Sequence, residues 1–498
     1  VVLLVGAAVA ATSWIDERAF VAAWIGMILF FVAVRPLSGK KAFAAGLLFG
    51  LTFMSVALHW APRMLSYTLD CGERMATPWL AFLAIACWEA IPFALIAATS
   101  ARQGTVPCWA CAGVWIAMER FWPRVFPWSF AHTQTGFLPM VQAAELGGQY
   151  LVSFVFVYAC LDVADRLYRR DFALKWATCA PLALVAANVA FGVSRLATLT
   201  DIQERQPTLR IGVVQVDPSF VESTMKMRAV SDQLPPVELM LWPESSLGSY
   251  SAAIERLSDV RQDTKIAHMP FIDSKPACGL GAWLLAGGKT FDPGAGYAGP
   301  YYQTAYLIDA TGEFRGKYHK RSLMPIGEFM PLEQYFPELH DWARLSKYAA
   351  WGNSDAPLLV ANDVPIGVLL CYEDIVAEMA RRSVALGAEV LVSLVNASAF
   401  QDSLALNQHL RLATLRAIEN RRTFIRCSGT GISCCISPTG KVLTRIPPEA
   451  EGGFTVAATL NSHKTIYDCF GYLFPHGMAI VLGILVIFAP QSRSCVSR

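Results

Sequence analysis

Two hydrophobic patterns divide the chain. Apolar positions in the first part come in long unbroken runs, at about 1–13, 20–34, 42–60, 77–99, 108–122, 147–165 and 176–195. A helix rising 1.5 Å per residue needs ~20 such residues to cross a bilayer. Several runs reach that length and others are short. One more run, at about 471–490, brings the predicted count to eight spans. The first run is expected to be a span and not a signal peptide, because no charged n-region and no A-x-A site with a soluble sequel accompanies it. The pattern predicts a multispan bundle over 1–197 and a last helix with a cytoplasmic tail over 468–498.

Between them, residues 198–467 change character. Apolar runs shorten to strand length and are separated by turn residues. Leu209–Val216 has the continuous apolar core of a strand covered on both faces. Leu239–Ser246 follows, then Trp283–Thr290, Gln303–Asp309, Leu358–Ala361, the run ending at Cys371, and Glu389–Val395. Ile375–Leu386 and Asn407–Arg422 read as helices, Phe424–Ile436 as paired strands and Pro438-Thr439-Gly440 as a turn. Strands outnumber helices. The expected class is α/β beside a membrane α-helical bundle, with two sheet layers and helices outside, in an αββα sandwich.

Composition and charge sharpen this picture. The 498 residues are 54% hydrophobic and 16% charged, against roughly 25% charge in ordinary soluble domains. A net charge of +2 with no basic stripe gives no sign of a nucleic-acid partner. The 13 cysteines lack paired spacing, and Cys108-x-x-Cys111 opens an apolar segment with no second pair. With no His cluster either, neither metal nor disulfide framework is expected. No cofactor is implied. Alternate loops differ in basic residues, ten against four, with Arg35, Lys40 and Lys41 in the richer set and Arg18 and Arg63 in the poorer. The positive-inside rule then puts both termini in the cytoplasm and the 198–467 segment outside.

The candidate chemistry lies at strand ends. Pro365–Leu370 delivers Cys371, followed at once by Tyr372, Glu373 and Asp374. A strand-to-helix turn can expose a side chain on rigid backbone, and the next helix's N-terminal dipole would favour the thiolate. Taken singly, Cys371 reads as a small buried hydrophobe, Glu244 after Trp-Pro as a surface acid, and Lys320 as a solvated lysine in a charged loop, 316–328. Together they supply a nucleophile, a base to activate it and an ammonium to stabilise an oxyanion. In the bundle, Glu119-Arg120 ends the span that begins near Cys108, where charge is costly; a functional pair and a pair that snorkels to the interface both fit.

The ordered set Trp-Pro-Glu244, Tyr-x-Lys320-x-x-Leu-x-Pro-x-Gly-Glu328 and Cys371-Tyr-Glu resembles the nitrilase superfamily. More narrowly, the chain is similar to the apolipoprotein N-acyltransferase family, including Trp115-x-x-x-Glu119 and Phe126-Pro127-Trp128 in the bundle, Asn407-Gln408-His409, and Arg416-Ala417-Ile418-Glu419. The likeness covers nearly the whole chain. It implies a multi-pass protein of the bacterial inner membrane whose nitrilase-like domain is inserted on the periplasmic side between the seventh and eighth spans. Cys371 would be the nucleophile, Glu244 the base and Lys320 the oxyanion partner. Glu328, Tyr372, Glu373, Asn396, Trp115 and Glu119 would bind or support substrate. A phospholipid would donate an acyl chain through a Cys371 thioester to the α-amine of a diacylglyceryl-modified apolipoprotein, with the enzyme acting as a monomer. Two departures touch substrate choice: Asn396-Ala397-Ser398-Ala399-Phe400 stands where the family usually shows Asn-Asp-Ala-Trp-Phe, and Gln303 where it commonly has Asn. An acceptor other than a lipoprotein, or a non-catalytic scaffold, are the alternatives.

Overall fold

A computed structural model describes residues 1–69, 76–101, 106–171, 176–203, 205–219, 222–247, 249–251, 280–291, 301–336, 338, 350–353, 357–401 and 403–487. Helices occupy every predicted span: α1 (Val2–Ile15), α2 (Phe20–Val34), α3 (Gly39–Ala57), α4 (Ala61–Thr68), α5 (Ala76–Ser100), α6 (Cys108–Phe121), α7 (Leu138–Val141), α8 (Ala144–Arg169), α9 (Trp176–Gln203) and, after the α/β region, Leu473–Ile487. Among the described residues five helices are long and apolar enough to cross a membrane, over Glu17–Val34, Gly39–Ala57, Ala76–Ser100, Ala144–Arg169 and Cys179–Leu199. Val2–Ile15 and Leu473–Ile487 are apolar but shorter. The helix of the third predicted run stops at Ala57, three residues short of the run's end, and α4 follows beyond it as a short, separate helix.

The α/β region contains two sheets. Strands β1 (Thr208–Gln215), β2 (Leu239–Trp242), β3 (Ser249–Ser251), β4 (Trp283–Phe291), β5 (Tyr301–Ile308) and β6 (Phe314–His319) belong to the first. A late strand, β13 (Gly452–Thr459), closes its edge, giving the order β13-β1-β2-β4-β5-β6 with β3 on β4. The second is β12 (Val442–Ile446), β11 (Ser433–Ile436), β10 (Phe424–Ser428), β9 (Val390–Val395), β8 (Val364–Leu370) and β7 (Leu359–Ala361), in that order. Ile366, Val368 and Leu370 of β8 alternate into the core between the sheets with Ile211, Val213, Leu239 and Leu241 of the first. Leu369 points the other way, toward the core shared with the bundle, as period-2 alternation requires. Helix α10 (Ser223–Gln233) covers the outer face of the first sheet through Met227; helices Ala377–Ala385 and Leu404–Asn420 cover the second.

The two regions are joined by polar contacts. Gln408 accepts from the Trp60 indole (2.9 Å) and donates to Ala57 O (2.8 Å), while Arg411 donates to Ser13 O (2.7 Å). Arg421 pairs with Glu145 at 2.6 Å. Helix α8 is broken at Gly147 and Gly148, the latter at φ +67°. The break frees the Gln149 N–H, which Glu419 accepts at 3.0 Å. A Cβ on Gly148 would stand 2.7 Å from the Tyr467 ring, so both the backbone angle and the close approach call for glycine.

Two expectations change. The charged loop predicted over 316–328 begins as strand β6 through His319, antiparallel to β5. Its charged residues hid it: Tyr318 is buried while Arg315 lies on the outer side of an edge strand, the usual way such edges are blunted. The helix predicted from Ile375 begins at Ala377, and residues 371–375 form a separate 3-10 turn.

Candidate active site

Four strand ends converge. Glu244 follows β2 and Lys320 follows β6 in one sheet; Cys371 follows β8 and Asn396 follows β9 in the other. In parallel sheets the carboxyl ends of strands are where ligands bind. Glu244 is brought in by a tight turn through Ser245 (φ +68°) that lies against β4. Leu247 N donates to Gly287 O (2.8 Å), and a Cβ at Gly287 would sit 2.4 Å from Glu244 Cα, so only glycine lets this turn approach. Cys371 itself has φ +49°, uncommon for a non-glycine residue and found where a fold over-determines a functional position.

The side chains meet in a buried cluster. Lys320 Nζ lies 4.0 Å from Glu244 Oε1 and donates to Glu328 Oε1 at 2.8 Å; the Lys320 and Glu244 side chains are 2% and 5% exposed. Glu244 Oε2 accepts from Asn396 N (2.9 Å), and the Cys371 thiol faces both Asn396 O (3.5 Å) and the Glu244 carboxyl. Glu328 is fixed by Met324 N at 2.7 Å. Glu373 is wholly buried and ties the turn to the Lys320 segment, accepting from Leu370 N (2.8 Å), Ser322 N (2.9 Å) and Tyr318 Oη (2.8 Å). Tyr372 Oη donates to Val125 O at 2.8 Å, pinning the turn to the bundle.

Burial pushes the Glu244 carboxyl above the usual carboxylate range against the pull of Lys320, and Glu328 adds to the rise. Burial opposes charge on Lys320, but Glu328 and Glu244 hold its ammonium above the ordinary lysine value. Burial and then the Glu244 charge push the Cys371 thiol well above the ordinary cysteine value, despite Lys320. The expectation of a dipole-stabilised thiolate is therefore corrected. One ammonium faces two acidic side chains, so a further negative charge on sulfur is disfavoured, and the Glu244 carboxyl lies beside the thiol.

Trp115 and Glu119 form a separate arrangement. Trp115 Nε1 donates to Glu119 Oε1 (2.8 Å), which also accepts Phe130 N (2.9 Å). Trp115 packs among Phe93, Trp128 and Phe130. Among the described residues no hydrogen bond or ring contact joins either to Glu244, Lys320 or Cys371. What sequence reasoning missed is the support beneath the turn. Asp374 accepts His409 Nε2 at 2.6 Å, Arg426 Nε at 3.1 Å and Ser393 Oγ at 3.2 Å, all buried. The signal was an arginine at the centre of the apolar strand Phe424-Ile425-Arg426-Cys427, since a buried charge requires a partner. No group of His, Cys, Asp and Glu that could hold a metal occurs among the described residues.

The α/β sandwich is that of the carbon-nitrogen hydrolase family. The profile of that family matches residues 210–466, more than half of the chain, and the chain belongs to it. The apolipoprotein N-acyltransferase N-terminal domain matches residues 6–161. Over most of its length the chain is similar to proteins named apolipoprotein N-acyltransferase. The one from Geobacter metallireducens is 26% identical, covering 95% of this chain and 91% of that protein; the one from Pseudomonas putida is 27% identical, covering 85% and 83%. A solved amidase from Nesterenkonia sp. AN1 is 19% identical over 50% of this chain and 92% of its own, with a TM-score of 0.35. With its five long apolar helices, the chain is a multi-pass membrane protein carrying a nitrilase-like α/β sandwich.

Proposed function

We propose that this protein is an apolipoprotein N-acyltransferase, and that Glu244, Lys320 and Cys371 carry out the transfer. The observation that carries the reading is the Cys371 thiol at a strained strand end, beside the buried Glu244 carboxyl and the buried Lys320 amine. In the first half-reaction Glu244 takes the thiol proton as sulfur attacks the ester carbonyl of a phospholipid. The oxyanion forms against Lys320, whose charge Glu328 maintains. Collapse breaks the acyl–oxygen bond, Glu244 returns the proton to the departing glyceryl oxygen, and a thioester remains. In the second half the α-amine of a diacylglyceryl-cysteine attacks the thioester, Glu244 accepts the amine proton, and the thiolate leaves and regains it. An amide has formed and the enzyme is restored.

Burial suits this sequence, because a thioester must survive water until the amine arrives. An apolar seam supports a lipid substrate. Narrow cavities lined by Trp60, Val125, Phe126 and Phe400, and by Met64, Val125, Met324 and Ile326, lie between bundle and catalytic loops. Val125 lines both and is the residue Tyr372 holds. The division we propose is a bundle over 1–197, a catalytic domain over 198–467 inserted between the seventh and eighth spans, and a closing segment over 468–498. The catalytic domain would face the periplasm of a bacterial inner membrane. The 292–300 loop, whose outside exposure the topology requires, lies outside the described residues, as does 488–498.

The decisive experiment has two stages. Purified protein incubated with phospholipid alone should gain one fatty acyl group on Cys371 that neutral hydroxylamine removes. Addition of a diacylglyceryl lipopeptide should then discharge it onto the peptide's N-terminus, read by mass spectrometry. Release of free fatty acid with no modified peptide would instead indicate hydrolysis.

A further inference from the structure

On the far side of the 122–128 segment from the apolar seam lies a polar cavity with about 420 Å³ of free volume, far roomier than the seam's 60 Å³. Arg120, Arg124, Arg381, Arg382 and Arg416 line it, against only Glu119 and Glu378. Glu378 is fully engaged and Glu119 through Oε1 alone, its Oε2 being buried without a hydrogen-bond partner. Glu378 takes Arg381 and Arg382, each at 2.9 Å, and Glu119 takes Trp115 and Phe130 N. Arg416 pairs with Glu419 at 3.1 Å. Arg120 has no ion pair among the described residues; its guanidinium stacks over the Tyr472 ring at 4.3 Å.

A second observation points to a ligand. Arg120 Nε, Trp122 Nε1 and Arg124 Nη2 are buried and find no hydrogen-bond partner, and all three belong to residues that line this cavity. The Arg124 side chain is 2% exposed, with Glu89 at 3.6 Å from Nε. Buried donors normally have acceptors. Three vacant donors on alternate residues, in a cavity rich in guanidinium, call for an anion with several oxygens, and guanidinium geometry matches phosphate.

Position supplies the source. The cavity lies where α6 ends, where the C-terminal part of α8 starts with Gln149 and Tyr150, and beside Tyr472 at the start of the last helix. Ends of apolar membrane helices mark headgroup level, and basic pockets between such helices bind lipid headgroups. We infer that this cavity is a phosphate site for a membrane glycerophospholipid, separate from the Cys371 centre. The lipid's phosphodiester would accept from Arg120, Trp122 and Arg124, with Arg381 and Arg382 at the rim. The inference stands apart from acyl transfer, so either can fail alone.

The test is native mass spectrometry of the full chain in detergent, titrated with phosphatidylglycerol, with diacylglycerol and inorganic phosphate as separate arms. Wild type should retain phosphatidylglycerol saturably, one copy of it at this cavity. Arg120→Gln should weaken retention by roughly tenfold or more, the loss expected for a hydrogen bond to a charged group, and Trp122→Phe by a smaller factor. Displacement of the lipid by inorganic phosphate would assign recognition to the phosphate alone; retention despite it would assign the intact lipid. Equal retention of diacylglycerol, or unchanged binding in Arg120→Gln, would overturn the site. Where Arg120→Gln gives no cooperative melt, Trp122→Phe decides, and unchanged binding there counts against the site.

Discussion

Two buried charge clusters stand back to back at the 371–375 turn, built from neighbouring residues with opposite outcomes. On one side Glu244, Glu328 and Lys320 surround the Cys371 thiol, with two carboxylates against one ammonium. On the other, both Asp374 oxygens are engaged, by His409 and by Arg426 and Ser393, while Arg426 also reaches His409 Nδ1 at 3.1 Å. The contrast shows in the acids. Burial wins at Glu244 and raises it. At Asp374 burial would also raise the carboxyl, but His409 and Arg426 outweigh it and hold it below the usual range. A cluster left short of positive charge can exchange a proton, whereas one with matched partners fixes a backbone. We propose chemistry for the first and architecture for the second.

The largest effect should come from the nucleophile. Cys371→Ala should abolish the acyl adduct and lower turnover by roughly 10⁴-fold or more, as for nucleophiles elsewhere, with little change in melting temperature. A persisting adduct would place the nucleophile elsewhere. Asp374→Asn should do the reverse. It leaves Arg426 buried against a neutral amide, and removing one partner of a buried pair costs about 3–5 kcal/mol. The detergent-solubilised protein should melt well below wild type, while the fraction that stays folded still acylates. If Asp374→Asn instead left stability intact and stopped acylation, the division between the clusters would be wrong.

That division was only half legible in the sequence. Glu244 and Cys371 stood out because each follows an apolar strand, and Lys320 only because the three occur in a recognisable order. The helices could be found because long apolar runs have one economical solution in a bilayer. The cluster around Asp374 showed only as one arginine inside an apolar strand. Its members come from the turn, β9, the Leu404–Asn420 helix and β10, and no local periodicity connects residues 374, 393, 409 and 426. Strand β6 was missed because an edge strand with outward charges reads as loop. The rise in the Cys371 pKa was not foreseen for a related reason: a helix dipole can be guessed from chain order, but the charge balance around this sulfur depends on Glu244, more than a hundred positions away, and on Lys320 and Glu328.

Lys320→Ala should cost less than loss of the nucleophile. Removing one oxyanion donor costs about 3 kcal/mol, or roughly 10²-fold in acylation rate. Single-turnover acylation measured with phospholipid alone isolates that step. A loss confined to the second half-reaction would mean that Lys320 serves the amine and not the first oxyanion.

The smallest effect is also the most specific to the comparison. Glu244 works as a base only when ionised, so acylation should fall as pH drops through its raised pKa, giving an acid limb above the ordinary glutamate value of 4.5. After burial, one cause of that rise is the neighbouring Glu328 charge, while Lys320 opposes it. Glu328→Gln removes a negative charge and releases the 2.8 Å contact that draws Lys320 away from Glu244. Both changes favour the Glu244 carboxylate, so the limb should move toward lower pH even as the maximal rate declines. Rate profiles of the two proteins between pH 4 and 8 measure the shift, on the order of one unit or less for a single nearby charge. A limb that moved to higher pH would mean that Glu328 stabilises the base, and the reading of this cluster as short of positive charge would fail.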